Sequence, residues 1–261
     1  TCATIGKMTL PELKGRGYPE GITIGSLAGA GTLGLLIPPS IIMIVYGVTA
    51  NVSIAQLFIA GIVPGILLAA LFSGYIVAWS LANPGKVPAI EERTTFAQKL
   101  FASRHLIPVV LLIAVVLGSI YVGIATATEA AALGVVGSLA ISAAQGSLGR
   151  KTFVDSLMGA TRLYCMIALI LAGASFLTLA MGYIGLPRHL AEWIGELGLT
   201  PFMLVVALTF FYIVLGCFLD GISMVVLTMG VILPTVEKAG IDLLWFGIFI
   251  VLVVEMAQIT P

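Results

Sequence analysis

Long apolar runs separated by short polar segments dominate this chain. A helix needs about 20 apolar residues to cross the hydrocarbon core of a bilayer. Runs of that length predict an all-α, polytopic membrane protein. The predicted crossings are residues 21–48, 55–82, 105–124, 127–147 and 156–185.

The pattern changes after the fifth run. Residues 187–199 place apolar side chains on one face and charged side chains elsewhere, which predicts a helix lying in the membrane interface. Residues 202–234 are apolar but interrupted at 219–223, and a final apolar span begins near Leu243.

One order of parts occurs twice, at an offset of 223 residues. In each copy a Leu-Pro pair is followed by a short charged turn that ends in Gly, and then by an apolar stretch broken at a Pro. The copies begin at Leu10 and Leu233, and the breaks lie at Pro38 and Pro261. Such repeats in an apolar protein are typical of transporters built from two halves.

Basic residues predict how the chain is oriented in the membrane. The polar segments on one side contain nine Lys and Arg residues, and those on the other side contain two, so the first side is expected to be cytoplasmic. Five crossings, an odd number, separate the two copies, and the repeat is therefore predicted to be inverted. Residues 202–234 must then enter and leave from outside as a re-entrant hairpin with its tip at 220–223. By symmetry, residues 1–10 are predicted to be the exit arm of a cytoplasmic hairpin.

Composition narrows the function classes. Of the 261 residues, 60% are hydrophobic and 9% are charged, against about 25% charged in a soluble domain. The net charge of zero gives no reason to expect a nucleic-acid partner. The three Cys and two His residues do not have the spacing of metal ligands. The sequence contains no recognisable pair of nucleophile and base, so an enzyme is not expected. The first residue is not Met, so we expect a piece of a longer protein.

The first candidate site is the break at Pro38 and Pro39. These residues lack amide hydrogens and leave carbonyl groups free one turn upstream, near Gly34. Free carbonyls in apolar surroundings can bind sodium, and Thr32 and Ser40 add hydroxyl groups. The alternative is a simple proline kink with small residues for helix packing.

Two acidic residues lie inside apolar stretches, where a carboxylate is costly and suggests a function. Asp220 could bind a cation or a substrate hydroxyl, or it could cap the next helix. Glu255 lies about a dozen residues into the last span, near mid-membrane at about 1.5 Å per residue. It could contact a cation or be a structural acid. Its counterpart in the first copy is Thr32.

A third acidic residue has a local explanation. Thr126 and Glu129 have the spacing of a capping box. This predicts the start of a helix at the outer end of a span, and it accounts for both residues better than a role in gating.

Several segments together resemble the large membrane subunit of TRAP (tripartite ATP-independent periplasmic) transporters. The resemblance covers essentially the whole chain and implies the C-terminal two-thirds or so of that subunit. The chain departs from the family by lacking the first half of repeat one and by ending at Pro261, where the family continues with a second proline. The segments are residues 15–18, 31–40, 57–65, 125–131 and 220–223.

The resemblance implies a multi-pass protein of the bacterial inner membrane with inverted repeats, re-entrant hairpins and broken transmembrane helices. Such carriers import an organic acid, of the C4-dicarboxylate or sialic-acid type, by sodium symport. A periplasmic binding protein delivers the substrate, and a small four-helix membrane subunit supports the large one. The resemblance implies a transport domain from residues 1–50 and 202–261, which moves as an elevator against scaffold and connecting helices in 51–201.

Carried over onto this sequence, the resemblance implies two sodium sites and one substrate site. The sodium site of repeat one would use Gly31, Thr32, Gly34 and Ile37. The sodium site of repeat two would use Gly221, Ser223, Glu255, Gln258 and Thr260. The substrate would lie between the hairpin tips, near Thr1, Ser40 and Asp220.

Two other functions fit the residues. One is an inverted-repeat symporter of the sodium/dicarboxylate type that works without a binding protein. The other is a membrane scaffold subunit that transports nothing and shows no dependence on sodium.

Overall fold

A computed structural model describes residues 2–88, 106–185, 189, 192 and 200–259. These residues form helices and no strand. Five stretches within them are long and apolar enough to cross a membrane. They are Glu20–Ala50, Ile54–Ala82, Ala127–Ala144, Arg150–Ile184 and Gly221–Lys238. The prediction of an all-α, polytopic membrane protein is confirmed.

The long helices are numbered here in chain order. They are α1 (Cys2–Gly15), α2 (Glu20–Leu36), α3 (Ile41–Ala50), α4 (Ile54–Ala82), α5 (Ile107–Tyr121), α6 (Ala127–Ala144), α7 (Arg150–Ile184), α8 (Pro201–Gly216), α9 (Gly221–Lys238) and α10 (Leu243–Ile259). The helix that contains the predicted crossing at 156–185 extends beyond it, since α7 begins at Arg150. The predicted interfacial helix at 187–199 lies outside the described residues except at His189 and Glu192.

Contacts divide the chain into two compact units, Thr1–Val87 with Met166–Pro261, and Pro88–Cys165. In the second unit α5 packs against α6, where a methyl group built at Gly134 would lie 3.5 Å from Val116. The predicted capping box starts α6. The Thr126 side chain accepts from the Glu129 amide at 3.3 Å, and the Glu129 carboxylate accepts from the Thr126 amide at 2.8 Å.

The first unit contains the repeat, and the structure reproduces its offset helix by helix. Both α2 and α10 have 17 residues, and each starts 223 positions from its counterpart. The turns before them are closed by equivalent bonds, from the Gly17 amide to Lys14 at 3.0 Å and from the Gly240 amide to Glu237 at 2.9 Å. Both glycines are left-handed, with φ of 82° and 73°. Glycine adopts this conformation without the steric cost of a Cβ atom.

The Leu-Pro pairs do not end their helices. Pro11 lies inside α1 and Pro234 inside α9, and each helix continues for four more residues. A proline removes one helical hydrogen bond. The end of each helix is instead set by the left-handed glycine two residues after its last residue, which turns the chain back.

Contacts between α3 and α10 define the relative direction of these two helices. The Tyr46 hydroxyl, in the second half of α3, donates to the Leu243 carbonyl at the start of α10 at 2.7 Å. Ile42, in the first turn of α3, lies with Val254, near the end of α10, against Gly221. The two helices therefore run antiparallel.

The interrupted segment 202–234 forms a hairpin of α8 and α9. The Tyr212 and Thr228 hydroxyls are 2.6 Å apart and join its two arms. The non-helical tip is at 217–220 rather than at the predicted 220–223, because Asp220 already caps α9 and Gly221 is its first helical residue. Within this unit, Ala174 of α7 packs against Val226 of α9.

Candidate functional site

Three elements meet around Gly221 at the start of α9. A methyl group built there would lie 2.7 Å from Nε2 of Gln258 and 2.8 Å from both Cδ1 of Ile42 and Cγ1 of Val254. The hairpin tip therefore lies against the first turn of α3 and the last third of α10. Glycine allows this close approach because it has no Cβ atom.

The break between α2 and α3 lies next to this contact. Pro38 stands four residues after Gly34, so the Gly34 carbonyl lacks the amide donor that a continuous helix would supply. The Ser40 hydroxyl donates to the Leu35 carbonyl and accepts from the Met43 amide at 3.3 Å. Ser40 is fully buried. Its hydroxyl thus closes the end of α2 and caps the start of α3.

Asp220 caps α9, which is the alternative that the sequence left open. One carboxylate oxygen accepts from the amides of Ile222 at 3.1 Å and Ser223 at 3.2 Å. The other accepts from the Ser223 hydroxyl at 2.5 Å. Asp220 is nevertheless exposed, so the same carboxylate remains open to further contacts.

Opposite ends of helix dipoles meet at this place. The N-termini of α3 and α9 lie together here, and helix N-termini attract anions. The C-terminus of α2 ends at the same break, and free carbonyl oxygens at such an end attract cations. The arrangement suits an anion and a hard cation bound side by side. Among the described residues, no group of His, Cys, Asp and Glu side chains could hold a metal ion.

Glu255 occupies a different position, in the contact between α2 and α10. It is 2% exposed, and neither of its carboxyl oxygens has a hydrogen-bond partner among the described residues. The Thr32 hydroxyl lies beside it but donates to the Gly29 carbonyl at 2.9 Å. Thr32 and Glu255 are counterparts at the 223-residue offset, so equivalent positions of the two repeats meet here.

The structure brings together most of the residues chosen from sequence. Gly221, Ser223 and Gln258 lie around the hairpin tip, next to the break that contains Ile37 and Ser40 and follows Gly34 in the last turn of α2. Gly31 lies on α2 beside Thr32, one turn before the break. Thr1 and Thr260 lie outside the described residues.

Sequence reasoning missed the apolar residues that position the tip. Ile42 and Val254 hold Gly221 from two sides. Both are ordinary members of apolar runs, and no local signal distinguishes them from their neighbours. Tyr212 and Thr228 were also missed, although polar groups in apolar helices could have suggested a hydrogen bond between the hairpin arms.

Known proteins match the chain over its whole length. The family described as the tripartite ATP-independent periplasmic transporter, DctM component, matches residues 1–261. A C4-dicarboxylate TRAP transporter large permease protein from Pseudomonas aeruginosa is 32% identical over 262 residues, covering 100% of this chain and 61% of that protein. An isethionate TRAP transporter permease protein from Oleidesulfovibrio alaskensis is 32% identical over 268 residues, covering 100% of this chain and 41% of that protein.

A more distant relative has another substrate in its name. The sialic acid TRAP transporter permease protein of Haemophilus influenzae is 28% identical over 262 residues, covering 98% of this chain and 41% of that protein. The chain thus spans 61% of the length of the Pseudomonas relative and less of the other two. Because the family match extends from the first residue to the last, the chain belongs to the DctM component family of tripartite ATP-independent periplasmic transporters.

Proposed function

We propose that this protein imports an organic acid across the bacterial inner membrane by symport with sodium. The observation that supports this function is the meeting of two helix N-termini and one helix C-terminus between inverted repeats. The helix N-termini favour a carboxylate or similar anion, and the C-terminal carbonyl groups favour a cation. An anion and a cation bound side by side would stabilise each other, which is the physical basis of coupling their transport.

The substrate proposal is a small organic anion. C4-dicarboxylate, isethionate and sialic acid appear in the names of the relatives. We propose that the acid group of the substrate lies near the hairpin tip, close to Ser40 and Asp220, with Thr1 contributing from the other repeat. Because the carboxylate of Asp220 would repel an anion, we propose that it contacts a substrate hydroxyl or a sodium ion.

We propose sodium sites on both sides of the tip. In repeat one the ligands are oxygens of Gly31, Thr32, Gly34 and Ile37, which belong to the last turns of α2 and the break after it. In repeat two they are oxygens of Gly221, Ser223, Gln258 and Thr260. We propose that Glu255 adds an oxygen to this set; its carboxyl group faces Thr32, a proposed ligand of the site in repeat one.

We propose two protein partners, a periplasmic binding protein that delivers the substrate and a small four-helix membrane subunit. The words "tripartite" and "periplasmic" in the family description support them. We further propose that hairpin and broken helices move together as an elevator. The close packing of α3, α9 and α10 around Gly221 supports such a rigid body.

Uptake by the full transporter in proteoliposomes tests the sodium proposal. Ser223→Ala and Thr260→Ala are expected to raise the sodium concentration needed for half-maximal uptake, because each removes an oxygen ligand. Ser138→Ala is the matched control, since the Ser138 hydroxyl donates to the Val135 carbonyl one turn away on α6 at 2.9 Å. Unchanged sodium dependence in both site variants would refute the placement.

The alternatives give different results in the same assay. Uptake at full rate without a binding protein would favour a symporter of the sodium/dicarboxylate type. No uptake, together with equal thermal stability in sodium and potassium, would favour a scaffold subunit, because selective binding of sodium to the folded protein raises its stability.

A further inference from the structure

A groove between α2 and α4 contains none of the residues proposed to bind sodium or substrate. The two helices are in close contact at the end of α2, where a methyl group built at Gly65 would lie 3.1 Å from Ile37, and again at Gly29, where it would lie 3.3 Å from Phe72. Among the described residues, a methyl group built at Gly25, one turn earlier on α2, would have nothing within 4 Å. The helices therefore diverge toward the start of α2, and the groove between them has a volume of about 830 Å³.

The groove is largely apolar and has the depth of one leaflet of a bilayer. Its α4 wall extends from Ala69 to Trp79, which is about 15 Å of helix at about 1.5 Å per residue. Half of a hydrocarbon core of about 30 Å is also about 15 Å. Tyr75, in the same wall, is 64% exposed, so the described residues leave the groove open to its surroundings. Because the lining of an empty groove forfeits its dispersion contacts, a hydrocarbon chain of this length is favoured inside it.

Lys86 gives one end of the groove a positive charge. It lines the groove and belongs to the short turn that follows α4. The other basic side chain near this end is compensated, because Lys14 pairs with Glu20, at the start of α2, at 2.6 Å. In the part of the chain that the structure describes, Lys86 makes no ion pair. Its ammonium group is therefore open to an anion at the mouth of the groove.

The basic residues of the sequence place this charged end at the cytoplasmic surface. Lys86 belongs to the polar segment after the second predicted crossing, on the side expected to be cytoplasmic. Tyr75 and Trp79 line the groove shortly before it in the chain, and such aromatic side chains are typical of the membrane interface. Basic pockets between transmembrane helices on the cytoplasmic side favour the head groups of anionic lipids.

We propose that the groove between α2 and α4 binds one anionic phospholipid of the cytoplasmic leaflet. An acyl chain lies along Gly25 and Phe72, and the phosphate group contacts the ammonium group of Lys86. The chain fills the space where the two helices diverge, so the bound lipid holds the first half of α2 in place on α4. This site is independent of the proposed transport of an organic acid, since the two share no residue.

Native mass spectrometry of the full transporter, freed of lipid in detergent, tests this proposal. Separate titrations with phosphatidylglycerol and with phosphatidylethanolamine of the same chains give the dissociation constant of the first lipid bound. We expect phosphatidylglycerol to bind about fivefold more tightly, the factor that corresponds to one lysine near an anionic head group. Lys86→Gln should remove this preference, and Lys151→Gln should keep it. Lys151 is the matched control because it is an exposed lysine on the same expected side and does not line the groove.

Gly25→Leu tests the position of the acyl chain. Its side chain would occupy the groove, so both lipids should lose this high-affinity site. Gly159→Leu is the matched control and should keep the site, because a methyl group built at Gly159, inside α7, also has nothing within 4 Å among the described residues. If Gly25→Leu does not fold, Lys86→Gln decides alone.

Three results would overturn the proposal. They are equal affinity of the wild type for the two lipids, an unchanged preference in Lys86→Gln, and unchanged affinity in a folded Gly25→Leu. Each would mean that no anionic lipid occupies the groove, as expected if a protein segment fills it. The measurement uses neither sodium nor substrate, so its failure is distinct from a failure of the sodium proposal.

Discussion

Replacing Gly247 by Ala would put a methyl group into the contact between α3 and α10. That methyl group would lie 2.5 Å from Cε1 and 2.9 Å from Cδ1 of Tyr46, and 2.7 Å from Cδ2 of Leu57. The Tyr46 ring cannot easily move away, because it is fully buried and its hydroxyl is bonded to the Leu243 carbonyl at 2.7 Å. The substitution therefore tests the packing that joins the two repeats.

The expected change in the free energy of unfolding combines two destabilising effects and one stabilising effect. Overpacking of a filled core costs about 1–3 kcal/mol, and loss of the hydrogen bond between Tyr46 and Leu243 costs about 1 kcal/mol. Alanine is favoured over glycine inside a helix by about 1 kcal/mol. Because the last two effects cancel, we expect the free energy of unfolding to fall by about 1–3 kcal/mol, which is the overpacking cost.

Thermal unfolding of the full protein in detergent measures this cost. Gly25→Ala is the matched control, because a methyl group built at Gly25, inside α2, has nothing within 4 Å. That control should raise stability by about 0.5–1 kcal/mol through helix propensity and the reduced freedom of the unfolded chain. If Gly247→Ala unfolds at or above the temperature of Gly25→Ala, then the Tyr46 ring does not pack on α10 as described.

Three further variants test local contacts. Asp220→Ala should lower stability by about 1 kcal/mol through loss of the cap on α9, whereas Asp220→Asn should keep the cap; thermal unfolding separates the two, and a normal substrate affinity in Asp220→Asn would remove its carboxylate from the substrate site. Thr126→Ala should destabilise the first turn of α6 by about 1 kcal/mol; faster hydrogen exchange at the Glu129 amide would show it, and unchanged exchange would contradict the capping box. Tyr212→Phe should lower the free energy of unfolding by about 1 kcal/mol, because it removes the hydrogen bond between the hairpin arms. In denaturant unfolding, adding Thr228→Val to this variant should cause little further loss of stability. Fully additive losses would mean that the two hydroxyls are not bonded.

The sequence alone was sufficient for the membrane character, the helical class and the repeat. These features follow from local properties of the chain. An apolar run long enough to span the bilayer must satisfy its backbone hydrogen bonds internally, and a helix does so. Gly17 and Gly240 adopt the left-handed conformation that turns the chain. Because glycine marks both turns, the offset between the repeats can be read from the positions of these residues in the sequence. The capping box of Thr126 and Glu129 is likewise local, because its two residues are only three positions apart in the sequence.

The positions of the breaks could be predicted only in part. The prolines at 38 and 39 do separate α2 from α3, since neither can donate the hydrogen bonds of a continuous helix. Pro11 and Pro234, in contrast, lie inside their helices. One missing hydrogen bond near a helix end is tolerated when the rest of the helix is packed, and the sequence does not report that packing.

The site itself was decided by tertiary structure. Gly221 is held by Val254 and by Ile42, which lies about 180 residues earlier in the chain, and Glu255 faces Thr32, which lies about 220 residues earlier. Hydrophobic periodicity shows which face of a helix is apolar, but α2 and α10 are apolar almost all round, so their contact faces cannot be read from it. Which buried groups meet, and whether they find a hydrogen-bond donor, depends on how the two repeats pack together.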